Sequence, residues 1–432
     1  MNRPTRRQFL RRLGAAAGAV AAAPSIVPDT VLGAGGVASP SERVTMSIIG
    51  CGNRGPKVMT HFLAQPDVQW LACCDCRQDR LMACKKKVDE HHGNTDCATY
   101  TDFRELLARP DLDGVLIATG ERWHAVASIY AARAGKDIYC EKPISLSIAE
   151  GRALVETCNR LGTIYQAGYQ RHSVDSFRFA VQCAHMGRIG ELREVLCNFW
   201  ECPPLAPSPT IPVPEGFDYD MWLGPTPWHP FSWNRVNRWH YIWDTGGGMV
   251  YGQGSHWADL AQWANHAEHT GPVKAEIEQV EWPPPDSLSQ VPVSCRVALA
   301  YPNGVRCIME SKGKFEDRYI RFTGTEGWVQ VVDATNTVTA EPASLLRLRA
   351  ISAKGWGDPG DHLRNFLDGI KTRRPCVCHP ESAHRAQTHC EITNIALRLG
   401  RTLAWDPAKE EFVGDAEANR MRSKAIRDPW RI

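Results

Sequence analysis

Residues 44–55, VTMSIIGCGNRG, leave the fewest folds open to this chain. Val44 to Ile49 is an apolar run of strand length, too short for a helix. It leads into Gly50-Cys51-Gly52-Asn53-Arg54-Gly55. Pro56 then suits the first turn of a helix, where its missing N–H costs nothing. Each glycine in such a turn has a physical task. Gly50 permits the tight bend, Gly52 leaves room for a pyrophosphate to approach the backbone, and Gly55 lets the helix pack closely on the strand. The helix N-terminus adds free N–H groups and partial positive charge for the phosphates. Asn53 and Arg54 belong to the same turn and count with the glycines as cofactor-binding. Asp75 closes the next apolar run about 20 residues on, where a carboxylate meets the adenosine ribose hydroxyls and repels a 2′-phosphate. The expected cofactor is NAD, with NADP admitted by Arg77 close by. The other use of Asp75 is as a turn or helix-capping aspartate.

A chain of 432 residues holds roughly two or three domains. A net charge of +2 with 23% charged residues gives no footprint for nucleic acid. The 16 cysteines are too irregularly spaced for a disulfide framework, and Cys73, Cys74 and Cys76 read as small core residues. Ahead of the first strand, Arg6-Arg7-Gln8-Phe9-Leu10-Arg11-Arg12 and the run LGAAAGAVAAAP have the form of a twin-arginine (Tat) export signal. A disordered basic leader is the alternative. The run is too short to remain as a membrane span. Residues 1–40 are set apart as leader, and the protein is expected to be periplasmic or otherwise extracytoplasmic.

From Val44 to Gln166 strands alternate with helices. Strands are expected over 68–75, 114–119, 137–141 and 163–166, and helices over 79–92, 124–134 and 147–161. Repeated βαβ units imply a parallel sheet. The pattern changes after about residue 190. A strand over 191–200 precedes an irregular tract, 201–245, rich in proline and tryptophan. A helix over 255–265 follows, then strands over 272–282, 291–301, 305–311, 319–323 and 328–332 with no helix between them, which is an antiparallel pattern. Pro302-Asn303-Gly304 suits a hairpin turn. Helices over 361–372 and 381–399 come next. The domains are then 41–170 for the nucleotide, 171–405 for substrate and oligomerisation, and a polar, extended tail over 406–432 laid on the surface or on a neighbouring subunit.

Cys140-Glu141-Lys142-Pro143 follows a strand, and in a parallel sheet the carboxyl ends of strands face the ligand crevice. A lysine there can donate to a substrate hydroxyl or carbonyl, with a pKa lowered by burial. The alternative is a surface loop lysine. Thr119, at the end of the neighbouring strand, and His124, at the start of the helix after it, join Glu141 and Lys142 along the cofactor. Gly246-Gly247-Gly248 leads through Gln253-Gly254-Ser255-His256 to Asp259, and glycines let a backbone pass close to a ligand. His256 falls near a helix start, whose dipole disfavours a charged imidazole, and a neutral imidazole is a competent base for an alcohol losing a hydride. Alone on an apolar helix it would be structural. Trp222, Trp228, Trp233, Trp239 and Trp243 either stack on sugar C–H faces or pack an irregular loop. Arg171, in Gln170-Arg171-His172, either reaches substrate or phosphate or makes an ion pair. Cys376, Cys378, His379, His384, His389 and Cys390 fit no standard zinc spacing, and no metal is expected.

The GxGxxG turn, the EKP motif and the Gly-Gly-Gly…His-x-x-Asp segment, in this order, resemble the Gfo/Idh/MocA oxidoreductases over about residues 44–405. Trp123-His124, the tract YDMWLGPTPWHP and the ending Asp428-Pro429-Trp430 are similar to the Tat-exported members. The resemblance implies α/β architecture: an N-terminal Rossmann domain and a C-terminal α/β domain with an open, mostly antiparallel sheet, often the interface of a dimer or tetramer. It implies NAD(P)-dependent hydride transfer to or from a hydroxyl of a sugar, polyol or sugar derivative. Lys142 and His256 are then catalytic, and Lys142, Arg171, Trp243, His256 and Asp259 lie at the carbohydrate. Two other readings stay open: a redox-assisted sugar lyase or glycosidase with tightly bound NAD, and a non-catalytic binding protein on a Rossmann platform. One position departs from the family. Where an aspartate commonly stands four residues before the histidine, this chain has Gly252, which leaves Asp244 or Asp259 to serve instead.

Overall fold

The run Val44–Ile49 is β1, and Val44, Met46, Ile48 and Ile49 are almost fully buried, as a strand covered on both faces must be. The computed structural model describes residues 39, 42–348 and 362–432. The leader expected over 1–40 falls outside them but for Ser39. Val44–Ile432 forms one compact unit. In it β1 pairs in parallel with β2 (Val68–Cys74) on one side and β4 (Gly114–Ile117) on the other. With β3 (Ala98–Tyr100), β5 (Asp137–Cys140) and β6 (Tyr165–Ala167) they make a six-stranded parallel sheet of order β3-β2-β1-β4-β5-β6. The order reverses between β1 and β4, so the carboxyl ends of these two strands open a crevice. Helices Gly55–Leu63, Gln78–His92, Glu121–Arg133 and Ile148–Leu161 make the main crossovers.

The second sheet contains β7 (Leu192–Phe199), β8 (Lys274–Glu281), β9 (Ser294–Ala300), β10 (Arg306–Ser311), β11 (Tyr319–Gly324), β12 (Trp328–Val332), β13 (Thr337–Glu341), β14 (Leu403–Asp406) and β15 (Glu411–Phe412). Their order is β13-β12-β11-β7-β10-β9-β8-β14-β15. Neighbours are antiparallel except β7 and β10, which run parallel. Pro302-Asn303-Gly304 joins β9 to β10, with Gly304 at φ +83°. The helix Asp175–His185 is an addition to the sequence reading: its buried face carries Arg178 and Gln182, which blur the apolar period. Every cysteine but Cys76 is buried, and Cys73 Sγ packs 3.4 Å from Cys84 Sγ. Among the described residues no helix is long and apolar enough to cross a membrane.

The tail lies against its own chain and is less extended than expected. Asp406 ends β14, Glu411–Phe412 forms β15 of the second sheet, and Ala416–Arg420 is a short helix. Farther on, Arg427 donates to the carbonyls of Asp220 and Gly224 at 2.9 Å. Trp430 is 3% exposed, with ring centroids 4.7 Å from Trp123 and 5.8 Å from Phe103. The apolar surface buried by one indole outweighs the polarity of its neighbours, and the tail folds back on its own chain.

Candidate active site

β1 runs into Gly50, whose φ of +99° suits glycine and whose missing Cβ leaves room for the Ala118 backbone, 2.7 Å from where that atom would stand. A Cβ on Gly55 would fall 2.2 Å from the Gly50 carbonyl oxygen. Gly55 therefore brings the helix Gly55–Leu63 against the turn and does not itself line the cleft. Asp75 reaches back into the turn. Its Oδ2 accepts from the Cys51 N–H at 2.7 Å and its Oδ1 from the Arg77 N–H at 2.8 Å. Burial raises its carboxyl, and these two N–H groups oppose the rise. The aspartate thus braces the turn while also lining the cleft. That cavity, about 340 Å³, is walled by Gly50, Gly52, Asn53, Arg54, Asp75 and Thr119, and by Met221, Trp222 and Trp239 from the irregular tract.

Arg122 escaped the sequence reading. It lies in the first turn of Glu121–Arg133, 3% exposed, and lines the same cleft. Its Nε donates to the Trp222 carbonyl at 2.6 Å, and its guanidinium sits 3.9 Å from the Trp222 ring centroid. Nη1 has no hydrogen-bond partner among the described residues. Burial pulls the guanidinium down to about 10. A buried cation with an unspent N–H, beside a turn stripped of Cβ atoms, fits a dinucleotide's phosphates. The available signal was its place just after β4, at the carboxyl end of a parallel strand. Arg122→Gln is expected to weaken NAD and ADP-ribose roughly tenfold, one charge-assisted bond, while adenosine binding stays unchanged, as measured by calorimetry.

A second chamber, about 710 Å³, shares Arg54, Thr119, Trp239 and His240 with the cleft. Lys142 and His256 both line it. The Lys142–Pro143 peptide is cis, and the Lys142 ammonium donates to the Gly252 carbonyl. Glu141 Oε1 accepts from Arg54 Nε and Gln170 Nε2, both at 2.9 Å, which ties the glycine turn to the loop bearing the lysine. His124 lies between the carbonyls of Pro143 (2.6 Å) and Thr119 (3.3 Å) and holds that loop against the end of β4. Burial lowers the Lys142 ammonium, and the carboxylates of Glu141 and Glu121 oppose it.

His256 stays neutral for a different reason from the one expected. A π-helical turn, Val250–Gly254, runs directly into Ser255–Ala264, so His256 does not sit in a free first turn. Burial holds the imidazole well below its ordinary range, and Arg171 and Lys142 add to the effect. Its Nδ1 lacks a partner among the described residues, and the Tyr169 ring stands 5.8 Å away.

Several candidates move. Asp259 does not line the chamber; its Oδ2 lies 2.9 Å from His172 Nδ1, and Cys378 Sγ lies 2.9 Å from the same nitrogen. Three residues apart, His256 and Asp259 share a helix face, but His172, which does not line the chamber, takes the carboxylate. Asp244 pairs with His229 at 3.0 Å and does not replace the acid missing at Gly252. Trp243 leaves the site altogether, because Arg398 and Lys424 stack on its ring at 4.3 and 4.0 Å. Arg171 does line the chamber, gripped by Asp333 at 2.7 and 2.6 Å. Trp222 and Trp239 cover the cleft, Trp233 lies under Arg77, and Trp228 is 63% exposed. His384 pairs with Glu410 at 2.8 Å, while His389 and Cys390 are buried in the helix Pro380–Leu399.

Two family models match: "Oxidoreductase family, NAD-binding Rossmann fold" over residues 44–169 and "Oxidoreductase family, C-terminal alpha/beta domain" over residues 204–432. The chain is similar to myo-inositol 2-dehydrogenase of Thermotoga maritima, 28% identical over 146 residues, 34% of this chain and 42% of that protein. It is similar to a glycosyl hydrolase family 109 protein of Saccharopolyspora erythraea, 35% identical over 123 residues, 28% of this chain and 27% of that protein. These matches span well under half the length of either curated relative. The fold is that of the aldose-aldose oxidoreductase from Caulobacter crescentus complexed with glycerol, with a TM-score of 0.61 at 20% identity, covering 84% of this chain and 99% of that one.

Proposed function

The chain belongs to the Gfo/Idh/MocA oxidoreductase family, and from that premise we propose that it transfers a hydride between nicotinamide and a hydroxyl of a sugar, polyol or sugar derivative. The observation that carries this reading is that Lys142 and His256, far apart in sequence, line one chamber continuous with the nucleotide cleft. Gly50, Gly52, Asn53, Arg54, Asp75, Thr119 and Arg122 would hold NAD there. NAD, when bound, supplies a hydride acceptor or donor. His256, kept neutral by burial, takes the hydroxyl proton. Lys142 donates to the same oxygen and polarises it. Arg171, fixed by Asp333, offers the substrate a positioned cation.

A second reading has its own support. Met221, Trp222 and Trp239 cover the cleft, so a nucleotide there would leave slowly. A retained cofactor suits a redox-assisted lyase or glycosidase, in which the hydride returns to the same sugar. Export by the Tat route to the periplasm and a homo-oligomer built on the second sheet belong to the same proposal, the first resting on the leader and the second on the family.

The test is to denature purified protein, identify any released nucleotide, and follow reduced-nicotinamide absorbance with a panel of sugars and polyols. Turnover with net absorbance change supports dehydrogenation. Product without net change supports the second reading. Bound nucleotide with no turnover, and Lys142→Ala indistinguishable from wild type, would leave a binding protein.

A further inference from the structure

Three carboxylates line the chamber that holds Lys142 and His256: Glu121, Glu141 and Asp333. Two are already paired with cations. Asp333 pairs with Arg171 and Arg318, and Glu141 with Arg54. Glu121 is not paired. It begins the helix Glu121–Arg133 and is 3% exposed. It accepts one hydrogen bond, from the Gly247 N–H at 3.2 Å, and has no ion-pair partner among the described residues. In the same chamber the Lys142 ammonium donates to the carbonyl of Gly252, a residue with no side chain to offer a charge. A buried ammonium and a buried carboxylate are each costly alone, and sharing one chamber offsets that cost.

We propose that Glu121 is a positioning residue of this site: the acid of the chamber that, once ionised, holds Lys142 as an ammonium. Its consequence for turnover rests on the hydride-transfer reading, but the pairing itself does not. The electrostatics are reciprocal. Burial raises the Glu121 carboxyl to about 8, with Lys142 the largest influence opposing the rise, so Glu121 carries its charge only in the alkaline range where Lys142 would deprotonate. Burial lowers Lys142, and Glu141 and then Glu121 oppose that. Other charged or titratable groups act on the pair from every side. Glu391 and Cys390 come from Pro380–Leu399, Lys424 from the tail, Tyr251 from the π-helical turn, and Arg122 from beside Glu121. Arg54, Arg171, His124, His240 and His256 surround the lysine. An anion favours the ammonium form. Removing the Glu121 charge must therefore move Lys142 deprotonation, and the alkaline limb of kcat/KM with it, to lower pH.

The decisive measurement is trace acetylation of the full-length protein with acetic anhydride across a pH series, read peptide by peptide by mass spectrometry. It gives the Lys142 titration midpoint without any substrate. Glu121→Gln is expected to lower that midpoint by about one pH unit or more, and Glu121→Asp to keep it near wild type. Adding Gly252→Asp to Glu121→Gln should restore it, since a Cβ at 252 would meet only the flexible Met249 side chain, at 3.0 Å. An unchanged midpoint in folded Glu121→Gln overturns the pairing. Should that variant not fold, Lys142→Met provides the reciprocal test: without the opposing ammonium the Glu121 carboxyl must titrate at still higher pH than in the wild type, read as its C=O stretch across an infrared pH series, and an unmoved Glu121 titration overturns the pairing too. A shifted midpoint in a protein that turns over no sugar sinks the hydride reading and leaves this one standing. Turnover with an unshifted midpoint does the reverse.

Discussion

Lys142→Ala should cut kcat by about 10³-fold, within the span usual for removing a positioned proton donor, while the nucleotide stays bound. The nucleotide cleft is walled mainly by the glycine turn, Asp75, Arg122 and the tryptophan tract, none of which the lysine supports directly. Its ammonium touches the Gly252 carbonyl, so the variant loses one hydrogen bond and leaves that acceptor facing the chamber. The fall should appear in kcat and kcat/KM alike, because the interaction lost is one with the oxygen that changes charge during reaction. Steady-state kinetics beside nucleotide calorimetry separates the two effects. A fall confined to KM would make Lys142 a binding group and remove it from the chemistry.

Gly55→Ala should be a severely damaging one-methyl change. The new Cβ would stand 2.2 Å from the Gly50 carbonyl oxygen, 2.8 Å from Ile48 Cδ1 and 3.2 Å from Ala118 Cβ. The nearest of these is backbone and cannot swing aside, so the helix Gly55–Leu63 must retreat from β1. Overpacking of this kind costs about 3 kcal/mol, and the displaced turn should lose NAD by roughly a hundredfold. Gly52→Ala is the control. Its Cβ would meet only the mobile end of Arg80, at 3.2 Å, so thermal stability should hold while nucleotide binding weakens. Melting curves and nucleotide titrations of the two variants should therefore diverge. Equal melting temperatures would mean that Gly55 does not clamp helix to strand.

The residues that were legible in the sequence are those whose task is local. A strand, a glycine turn and a helix are consecutive, so Gly50, Gly52 and Asp75 could be assigned by spacing, and all three line the cleft. Glu141 and Lys142 follow β5 directly, and the end of a parallel strand has one destination. The tertiary structure decided the rest. The sequence pattern predicts helix around His256 but does not say that a π-helical turn leads into it, nor that burial, rather than a helix terminus, sets its charge. Asp259 and Trp243 carried the right chemistry and point elsewhere, because His172, Arg398 and Lys424 come from remote segments. Glu121 and Arg122 fell outside the helix expected over 124–134, which in the structure begins at Glu121. Their meaning comes from what lies opposite: a chamber whose other acids are spent, and a tryptophan tract roughly a hundred residues away that seals a guanidinium from water. Backbone periodicity is written in neighbouring residues, whereas the charge a buried group must answer is set by whichever distant side chains fold against it.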